Sequence, residues 1–485
     1  MKVDHLNAHQ LPYDVLIVGL AREGLALARF LVHRGARVVV TDAKPAELLA
    51  DAVASLADLP VRYALGEHPL NLLESTDLIF VSPGVPPDIP LLAQARRQGL
   101  PISAEPKLFA QLCPATIVGI TGSSGKTTTT ALTGEMLKAD GRKVWVGGNI
   151  GHPLIGSLSE IQAQDAMVME LSSFQLELFA PWPPGVGDHL PLDAGGWSPP
   201  IAAVLNITPN HLDRHPSMEA YTAAKAHILN YQQPGQAAIL GRDNPITRQM
   251  GQALPHDRQV FWFSLEEEGE GSFLRGHELF LRRSGQEQRI CRLNELQLLG
   301  GHNVANVLAA IALAAVAGAS TQAIRQAAVS FRGVEHRLEL VRARNGVSWY
   351  NDSIATAPER TVAALKAFDQ PVVLLAGGRD KHLPWAEAAD LTLRRARHLI
   401  LFGEAADLIE AAMGQAAARL TDRKEPTDTL IHRAENLEHA VQIAARLAQP
   451  GDVVLLSPGC TSFDAYGDFC QRGEHFRQLV SKLES

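Results

Sequence analysis

One segment, TIVGITGSSGKTTTT at residues 116–130, constrains the fold more than any other part of this chain. A short apolar run leads into a turn rich in glycine and serine, and Lys126 and a row of threonines then precede helix-forming residues. This order predicts a buried strand, a tight loop and the N-terminus of a helix, where backbone N–H groups and the helix dipole favour an anion. The segment therefore predicts a parallel α/β sheet with a phosphate-binding loop.

The loop is shorter than the common GxxxxGK[ST] pattern, because Ile120 stands where that pattern has its first glycine. A glycine-rich turn with a chance lysine is the alternative, but strand, turn, Lys-Thr pair and helix occur in the order that a nucleoside triphosphate site needs. Lys126 would reach the terminal phosphates, and the Thr127 hydroxyl would bind a magnesium ion. The predicted nucleotide-binding residues are Gly122, Ser123, Ser124, Gly125, Lys126, Thr127 and Thr128.

Composition excludes several classes of protein. A chain of 485 residues has room for about three domains, and 46% hydrophobic residues can supply their cores. The net charge is −8 and no block is rich in lysine and arginine, so nucleic acid is not an expected partner. The first residues lack the apolar segment of a secretory signal, and no stretch approaches the roughly 18 apolar residues of a membrane span. The four cysteines show no zinc-like pattern, so we expect a cytoplasmic protein. We also expect a monomer.

The chain opens with a β-α-β pattern at residues 14–42, with an acidic residue, Asp42, after the second strand. Dinucleotide-binding folds share this arrangement, but Ala21 replaces the middle glycine of GxGxxG, which leaves an NAD oxidoreductase as a weak alternative. The firmer prediction is an α/β domain that holds the phosphates of a nucleotide over residues 19–24. A later strand ends in Ser82-Pro83-Gly84, which indicates either a binding lip or only a turn.

Polar residues follow several predicted strands of the middle region. Asn149 lies at the carboxyl end of one strand, where open α/β sheets bind ligands. Glu170 ends the apolar run AMVM, and a carboxylate there needs a partner or a metal ion, so magnesium binding or a structural role is expected. His211 comes just after a third strand and is a candidate ligand or phosphate contact, or else a surface histidine. Lys225 lies in the next predicted helix, where a solvated lysine is the alternative.

The remaining segments carry weaker signals. Residues 181–200 are rich in proline and glycine and predict a surface loop or flap, and residues 234–300 predict a solvated, β-rich insertion. The next predicted helix has Asn303 and Asn306 in its first turns, as caps or as nucleotide contacts. From Phe331 onward, strands and helices alternate again. We predict an α/β protein whose three domains span residues 1–112, 113–332 and 333–485.

Ten motifs occur in order over nearly the whole chain: TGSSGKTTT, GGNIG, ELSSFQLE, NITPNHLDRH, YTAAKAHI, GGHNVANVLAA, EHRLE, NDSIAT, GGRDK and LLSPGCTSFD. Together they resemble the Mur ligase family, and the last motifs favour its D-glutamate-adding members. The resemblance implies an N-terminal Rossmann-like domain for the uridine diphosphate end of the substrate, a central P-loop domain for ATP and Mg²⁺, and a C-terminal Rossmann-like domain for the amino acid. It also implies an ATP-dependent ligase that joins D-glutamate to UDP-N-acetylmuramoyl-L-alanine through an acyl phosphate in peptidoglycan synthesis.

The resemblance further implies roles for individual residues. The implied catalytic residues are Lys126, Glu170, His211 and Lys225, and the implied metal-site residues are Thr127, Glu170, His211 and Lys225, with Lys225 carbamylated. The implied additional nucleotide contacts are Asn303, Asn306, Arg337 and Asp352. The implied substrate contacts are Leu20, Ala21 and Ser82 around the uridine diphosphate, Asn149 near the substrate carboxylate, and Thr356, Lys381, Ser462 and Phe469 around D-glutamate.

The chain also departs from the family pattern. Ile354 stands where a lysine is frequent, Asn210 stands where an acidic residue is frequent, and the loop at residues 181–200 is longer than expected. Two alternatives remain: a sibling ligase that adds another amino acid or uses a folate-like substrate, and a nucleotide-sensing relative without ligase activity. The intact lysines, glutamate and histidine of the implied site speak against the second.

Overall fold

The computed structural model describes residues 11–149, 153–190, 192, 194–210, 214–298, 300–381, 383–422 and 428–483. Within these ranges the chain forms three mainly parallel sheets with helices between their strands, which confirms the predicted α/β class. Two compact units are present, Met1–Phe331 with two sheets and Arg332–Ser485 with one. The domain boundaries at residues 112/113 and 332/333 stay predictions.

The strands of the first sheet are β1 Asp14–Val18, β2 Arg37–Asp42, β3 Arg62–Leu65, β4 Leu78–Val81 and β5 Ile102–Ser103. The helices of this region are α1 Arg22–His33, α2 Ala50–Ala54, α3 Pro90–Arg97 and α4 Glu105–Leu112, with short 3₁₀ helices at Ala46–Leu49 and Leu70–Ser75. The strand order β3-β2-β1-β4-β5 is parallel throughout. Because the order reverses between β1 and β4, the turns that follow these two strands flank one crevice, the place where such sheets bind ligands.

The strands of the second sheet are β6 Thr116–Thr121, β7 Val144–Gly148, β8 Ala166–Glu170, β9 Ile201–Val204, β10 Ala237–Gly241, β11 Gln259–Ser264, β12 Gly271–Arg275, β13 Glu278–Arg283 and β14 Gln286–Arg292. The helices are α5 Lys126–Ala139, α6 Ser173–Glu177, α7 Met218–Asn230, α8 Pro245–Ala253, α9 Gly301–Val316 and α10 Thr321–Ser330, with 3₁₀ helices at Leu154–Glu160 and Leu293–Glu295. The order is β14-β13-β12-β11-β10-β9-β6-β8-β7, parallel from β7 to β12. The last two strands are antiparallel and exposed charged side chains cover them, which confirms the β-rich prediction.

The carboxyl ends of β6, β7 and β8 meet at one edge of this sheet. Ile120 and Gly148 both pair with Glu170 in the ladder, and Thr121 pairs with Val204 of β9. The buried apolar runs of these strands, such as TIVGIT and AMVM, are typical of parallel strands that are covered on both faces. The phosphate loop and Glu170 therefore come to the same edge by topology alone.

The segment at residues 181–200 is an irregular loop, as its proline and glycine content predicted, and part of it is buried. It forms neither helix nor strand where it is described, but the indole N–H of Trp182 donates to the Ile102 carbonyl oxygen at 2.8 Å, and the Leu190 side chain is buried. The Trp197 ring packs edge-on against Phe179 with 5.7 Å between ring centroids. The loop prediction is therefore confirmed, but the partial burial was not foreseen. The tryptophans and leucines of this segment hold it against the protein, since burying large apolar side chains stabilises the packed arrangement.

The strands of the third sheet are β15 Glu339–Arg344, β16 Val347–Asn351, β17 Val372–Gly377, β18 Ala396–Phe402, β19 Leu430–Arg433 and β20 Val453–Gly459. The helices of this unit are α11 Pro358–Leu365, α12 Ala386–Arg395, α13 Ala406–Asp422, α14 Leu437–Leu447 and α15 Phe469–Lys482. The order is β15-β16-β20-β17-β18-β19, and only the β15–β16 pair is antiparallel. The motifs NDSIAT, GGRDK and SPGCTS all begin at the ends of adjacent central strands, β16, β17 and β20.

Candidate active site

The phosphate loop has the predicted strand–loop–helix form. Strand β6 ends at Thr121, and α5 begins at Lys126 after a left-handed Gly125 with φ of 81°. A Cβ atom on Gly125 would lie 2.1 Å from Asn306 Oδ1, so only glycine fits here. The structure therefore brings Asn306 of α9 against the loop, and Asn306 Nδ2 donates to Asn303 Oδ1 at 3.2 Å. Both predicted asparagines lie at this edge of the second sheet.

Asn206, which follows β9, holds the first half of the loop. The backbone N–H groups of Ser123 and Ser124 donate to the backbone and side-chain oxygens of Asn206, each at 2.9 Å. The Ser123 hydroxyl donates to the Thr208 carbonyl oxygen at 3.0 Å. These groups were expected to face phosphates, but here they fasten the loop to the neighbouring strand end. The N–H groups of residues 126–128 lie in the first turn of α5, where a helix offers them no carbonyl partner of its own.

Two lysines meet at the carbonyl oxygen of Gly122. Lys126 Nζ donates to it at 2.9 Å and Lys225 Nζ at 3.0 Å, and Lys225 Nζ also lies 3.3 Å from Thr121 Oγ1. Lys225 is only 1% exposed and its ammonium lies 4.8 Å from the centroid of the Tyr221 ring. Burial, and then the charge of Lys126, lower the pKa of Lys225 from 10.5 to about 7. Lys225 is therefore not the solvated lysine of the alternative interpretation.

Glu170 ends β8 as expected and is buried. Its Oε1 accepts a hydrogen bond from Asn149 Nδ2 at 2.9 Å, and its backbone carbonyl accepts the Asn149 N–H at 2.8 Å. Its Oε2 is buried and makes no hydrogen bond with the described residues. The approach of the two strand ends requires Gly148, because a Cβ there would lie 2.3 Å from the Glu170 carbonyl oxygen. A buried carboxylate oxygen without a donor is the feature that a bound cation would satisfy.

A cavity of about 480 Å³ lies where the turns after β1 and β4 face the end of β7. Among the predicted substrate contacts, Ala21, Ser82 and Asn149 line it, together with residues that the sequence reasoning had not selected, such as Glu23 and His68. Leu20 is buried beside the cavity, and its backbone N–H donates to Asp42 Oδ2 at 2.8 Å. Asp42, the acidic residue predicted at the end of the second strand, therefore binds the turn that follows β1.

Glu23 is an unusual member of this cavity wall. Burial raises the pKa of its carboxyl group from 4.5 to about 7, against the effect of the hydrogen bond from Gln175. Gln175 Nε2 donates to Glu23 Oε1 at 3.1 Å, and Gln175 also completes a capping box with Ser172 at the start of α6. The cavity wall is thus hydrogen-bonded to the helix that follows Glu170.

In the second unit, Arg337 and Asp352 belong to one strained corner. The neighbours of Arg337, His336 and Leu338, have φ of 62° and 43°, which are uncommon values for side chains of this size. Asp352 supports the corner by accepting hydrogen bonds from the Leu338 N–H at 3.2 Å and the Ser457 hydroxyl at 2.9 Å. Burial raises the pKa of Asp352 to about 7. Such strain is typical of functional sites.

The four residues expected around D-glutamate all lie at the motif loops of this unit. Lys381 Nζ donates to Thr356 Oγ1 at 3.2 Å, and burial lowers the pKa of Lys381. Ser462 is buried, and the Phe469 carbonyl oxygen accepts the Ser353 hydroxyl at 2.8 Å. A lysine beside hydroxyl groups can pair with a carboxylate.

Arg472 is the residue of this site that the sequence reasoning missed. Its side chain is fully buried, and its guanidinium donates to the Ser353 and Cys460 carbonyl oxygens at 2.9 and 3.1 Å and to the Thr461 carbonyl oxygen at 3.1 Å. Burial lowers its pKa to about 10. A Cβ on Gly378 would lie 3.0 Å from Arg472 Nη1, so the loop of the GGRDK motif also lies close to the guanidinium. Arg472 lies about one helical turn after Phe469 in α15, and this spacing was the signal in the sequence that could have identified it.

Comparison with known proteins gives a consistent assignment. Three family models match: the MurD-like N-terminal domain of Mur ligases at residues 13–104, the Mur ligase middle domain at residues 120–314, and the glutamate ligase domain of Mur ligases at residues 336–460. A UDP-N-acetylmuramoylalanine--D-glutamate ligase of Symbiobacterium thermophilum is 44% identical over 96% of this chain and 97% of its own length. The chain belongs to the Mur ligase family. A second ligase of the same name, from Koribacter versatilis, is 40% identical over 97% of each chain.

Solved Mur ligase structures share the fold. UDP-N-acetylmuramate-alanine ligase from Thermotoga maritima matches with a TM-score of 0.53 at 18% identity, over 97% of this chain and all of that one. MurF from Acinetobacter baumannii matches with a TM-score of 0.51 at 17% identity, over 97% of this chain and 93% of that one. In the described parts of this Mur ligase, no helix has the length and apolar character needed to cross a bilayer.

The residues expected at a metal site fit a magnesium ion incompletely without modification. Within the described residues, no three His, Cys, Asp or Glu side chains form a cluster that could hold a metal. Glu170 offers the buried Oε2, and the Thr127 side chain is buried at the start of α5. His211 lies outside the described residues. Magnesium prefers oxygen ligands, so a carbamate on Lys225 would add oxygen donors to those of Glu170 and Thr127.

Proposed function

We propose that this Mur ligase adds D-glutamate to UDP-N-acetylmuramoyl-L-alanine with ATP and Mg²⁺, in the synthesis of peptidoglycan precursors. Relatives that carry the name of this ligase and match nearly the whole chain at 38–44% identity support the assignment. The observation that carries the chemistry is the meeting of Lys126 and Lys225 at the phosphate loop, beside the buried Oε2 of Glu170.

The proposed reaction has two steps. A carboxylate oxygen of the L-alanyl group attacks the γ-phosphorus of ATP, the bond from that phosphorus to the bridging oxygen breaks, and ADP leaves. The amine nitrogen of D-glutamate then attacks the carbonyl carbon of the acyl phosphate, and the new amide forms as phosphate leaves and the nitrogen loses a proton. Both steps need positioning and neutralisation of negative charge more than acid–base chemistry.

The phosphate loop would supply that neutralisation. Lys126, already oriented over the loop by the Gly122 carbonyl oxygen, would reach the terminal phosphates, while the N–H groups at residues 126–128 face the other phosphate oxygens. Thr127, Glu170, His211 and a carbamylated Lys225 would hold magnesium. Bound there, the metal ion would neutralise charge on the transferred phosphoryl group.

Burial makes Lys225 suitable for carbamylation. Only a neutral amine attacks CO₂, and a pKa of about 7 leaves a large neutral fraction at physiological pH. The nitrogen lone pair forms a bond to the carbon of CO₂ and the nitrogen loses a proton, which converts a cation into an anion. This change would replace the repulsion between Lys225 and Lys126 with attraction, and would place oxygen donors near Glu170.

The two substrates would bind at the two other groups of motif residues. The cavity of about 480 Å³ next to Ala21, Ser82 and Asn149 suits the uridine diphosphate end of the nucleotide-sugar. Lys381, together with Thr356 and Ser462 on the two loops that Arg472 binds, suits the two carboxylates of D-glutamate. Residues 1–112, 113–332 and 333–485 are the proposed limits of the three binding functions. We also assign the enzyme to the cytoplasm as a monomer without a nucleic acid partner, in keeping with its nucleotide substrates and net charge of −8.

Phosphate release from ATP tests this function. The purified chain is incubated with ATP, Mg²⁺ and UDP-N-acetylmuramoyl-L-alanine, and with one of a panel of amino acids that includes both glutamate enantiomers. Release only with D-glutamate is the expected result. Release with a different amino acid would keep the ligase chemistry and refute the assignment of Thr356, Lys381 and Ser462. Tight ATP binding without any release would point to the nucleotide-sensing alternative.

A further inference from the structure

The Arg214 side chain joins two parts of the first unit that are far apart in sequence. Its Nη1 donates to the Pro83 carbonyl oxygen at 2.8 Å and its Nη2 to the Val85 carbonyl oxygen at 2.9 Å. Its guanidinium carbon lies 4.2 Å from the centroid of the Phe174 ring. One side chain thus binds the loop after β4 and the first turn of α6. None of the motif roles inferred above uses this contact.

The loop after β4 forms one wall of the substrate cavity. Residues 82–85, named here the cavity lip, line the cavity of about 480 Å³. Its inner side is close-packed, because a Cβ on Gly19 would lie 2.9 Å from Ser82 Cβ and 3.2 Å from Val85 Cγ2. The Ser82 hydroxyl also donates to the Gly19 carbonyl oxygen at 3.1 Å. The turn after β1 therefore holds the lip from within the cavity, and Arg214, which is not among the residues that line this cavity, holds it by two further hydrogen bonds.

The other end of the contact leads to the proposed metal site. Phe174 lies four residues after Glu170, in the short helix α6. His215, next to Arg214, stacks on the Phe174 ring with 5.4 Å between centroids, and its Nε2 lies 2.9 Å from Ser173 Oγ. The position of α6 relative to the cavity lip is thus set by two consecutive side chains, both of which contact Phe174.

The geometry suits arginine and no other cation. Two N–H groups of the planar guanidinium donate hydrogen bonds to two carbonyl oxygens of one loop, and the flat face of the same group covers an aromatic ring. A lysine is a point charge with a flexible stem and cannot make all three contacts at once. Arg96 offers a contrast on the same loop, because its Nη1 makes a single bond to the Pro87 carbonyl oxygen at 2.6 Å, which a lysine could replace.

We propose that Arg214 is a positioning residue of this ligase: it holds the cavity lip against α6, so that the bound nucleotide-sugar is kept in register with the phosphate loop and Glu170. This inference rests on the proposed function, since it assigns the cavity to the nucleotide-sugar. Two effects follow. Loss of the Arg214 guanidinium loosens the cavity lip and weakens nucleotide-sugar binding. The misplaced substrate carboxylate lowers kcat, whereas ATP binding at the phosphate loop is spared.

The test compares R214K with the matched control R96K in the full chain. Calorimetric titration gives the Kd of UDP-N-acetylmuramoyl-L-alanine and of UDP alone, steady-state assays give kcat and the KM for ATP, and thermal unfolding gives Tm. For R214K we expect the Kd of both ligands to rise about tenfold, which corresponds to the loss of about one charge-assisted hydrogen bond. We also expect a lower kcat and an unchanged KM for ATP. R96K should match the wild-type chain in every measurement.

Several outcomes would overturn the inference. R214K with wild-type Kd and kcat refutes it, as does an equal loss in R96K, which would mean that any weakening of the loop has the same effect. If R214K unfolds, R214A with added guanidinium ion replaces it, and failure of guanidinium to restore the Kd refutes the positioning role. Absence of nucleotide-sugar binding and ligation by the wild-type chain would instead refute the proposed function, and this inference with it.

Discussion

Lys126 and Lys225 donate hydrogen bonds to one acceptor, the carbonyl oxygen of Gly122, at 2.9 and 3.0 Å. Burial disfavours the charged form of Lys225, and the charge of the nearby Lys126 disfavours it further, so the pKa of Lys225 falls to about 7. The same geometry that orients Lys126 over the loop thus prepares Lys225 as a neutral amine. Charge at this edge of the sheet is the property that the next two variants, K126A and K225A, alter.

Replacement of Lys126 by alanine should abolish ligation. The variant loses the cation over the terminal phosphates, and we expect kcat/KM to fall by about three orders of magnitude or more, the scale of a lost transition-state charge contact. Phosphate release and Tm are measured together. The exposed Lys138 of the same helix, paired with Glu135, gives the control K138A, which should retain activity. Normal turnover in K126A would refute the phosphate-loop assignment.

Replacement of Lys225 by alanine should nearly abolish activity in a way that small acids can repair. The variant leaves space beside Glu170 and Thr121 in which a short carboxylate can take the place of the proposed carbamate. We expect formate or acetate to restore part of kcat, while chloride at equal ionic strength does not. K126A serves as the comparison, because added anions cannot replace its missing cation. If no acid restores K225A, the carbamate proposal loses its support.

Replacement of Arg472 by lysine should weaken D-glutamate binding selectively. A lysine cannot bridge the carbonyl oxygens of Ser353, Cys460 and Thr461, so the loops that carry Thr356 and Ser462 lose their common support. We expect the KM for D-glutamate to rise by about tenfold or more, the cost of about one buried charge-assisted bond, with the Kd of the nucleotide-sugar unchanged.

Arg477 supplies the control for that experiment. It lies on the same helix but forms more exposed ion pairs, such as that with Glu474, so R477K should keep wild-type kinetics. Equal effects of R472K and R477K on the KM for D-glutamate would show that the helix, and not the buried guanidinium, supports the pocket.

Replacement of Glu23 by glutamine should change how stability depends on pH. The folded state raises the pKa of Glu23 from 4.5 to about 7, so folding favours its protonated form, and the wild-type chain loses stability as pH rises between these two values. Glutamine stays neutral and still accepts the Gln175 hydrogen bond at the Oε1 position. The Tm of E23Q relative to wild type should therefore rise from about pH 5 to about pH 8. A constant Tm difference over that range would contradict the assigned shift.

Local sequence predicted the position of some candidate residues and not of others. The strand–loop–helix form of the phosphate loop and the position of Glu170 at the end of β8 were predictable, because hydrophobic runs and turn residues mark strand ends within a few positions. Asp352 was selected only through the family resemblance. Asn206 was not predicted, although it binds both Ser123 and Ser124, since Ser124 lies 82 residues away in the chain. The partial burial of the loop at residues 181–200 was not predicted for a related reason: turn composition does not reveal which aromatic side chains find a partner.

By itself, the sequence determined the alternation of strands and helices, the phosphate loop and the motifs that mark the Mur ligase family, because these depend on residues that are close in the chain. Only the tertiary structure decided that Lys225 is buried beside Lys126, that Arg472 binds two separate loops, and that Arg214 joins the cavity lip to α6 across 131 residues. Burial, pKa and hydrogen-bond partnership depend on every group packed around a side chain. Those groups come together only when distant segments fold against one another.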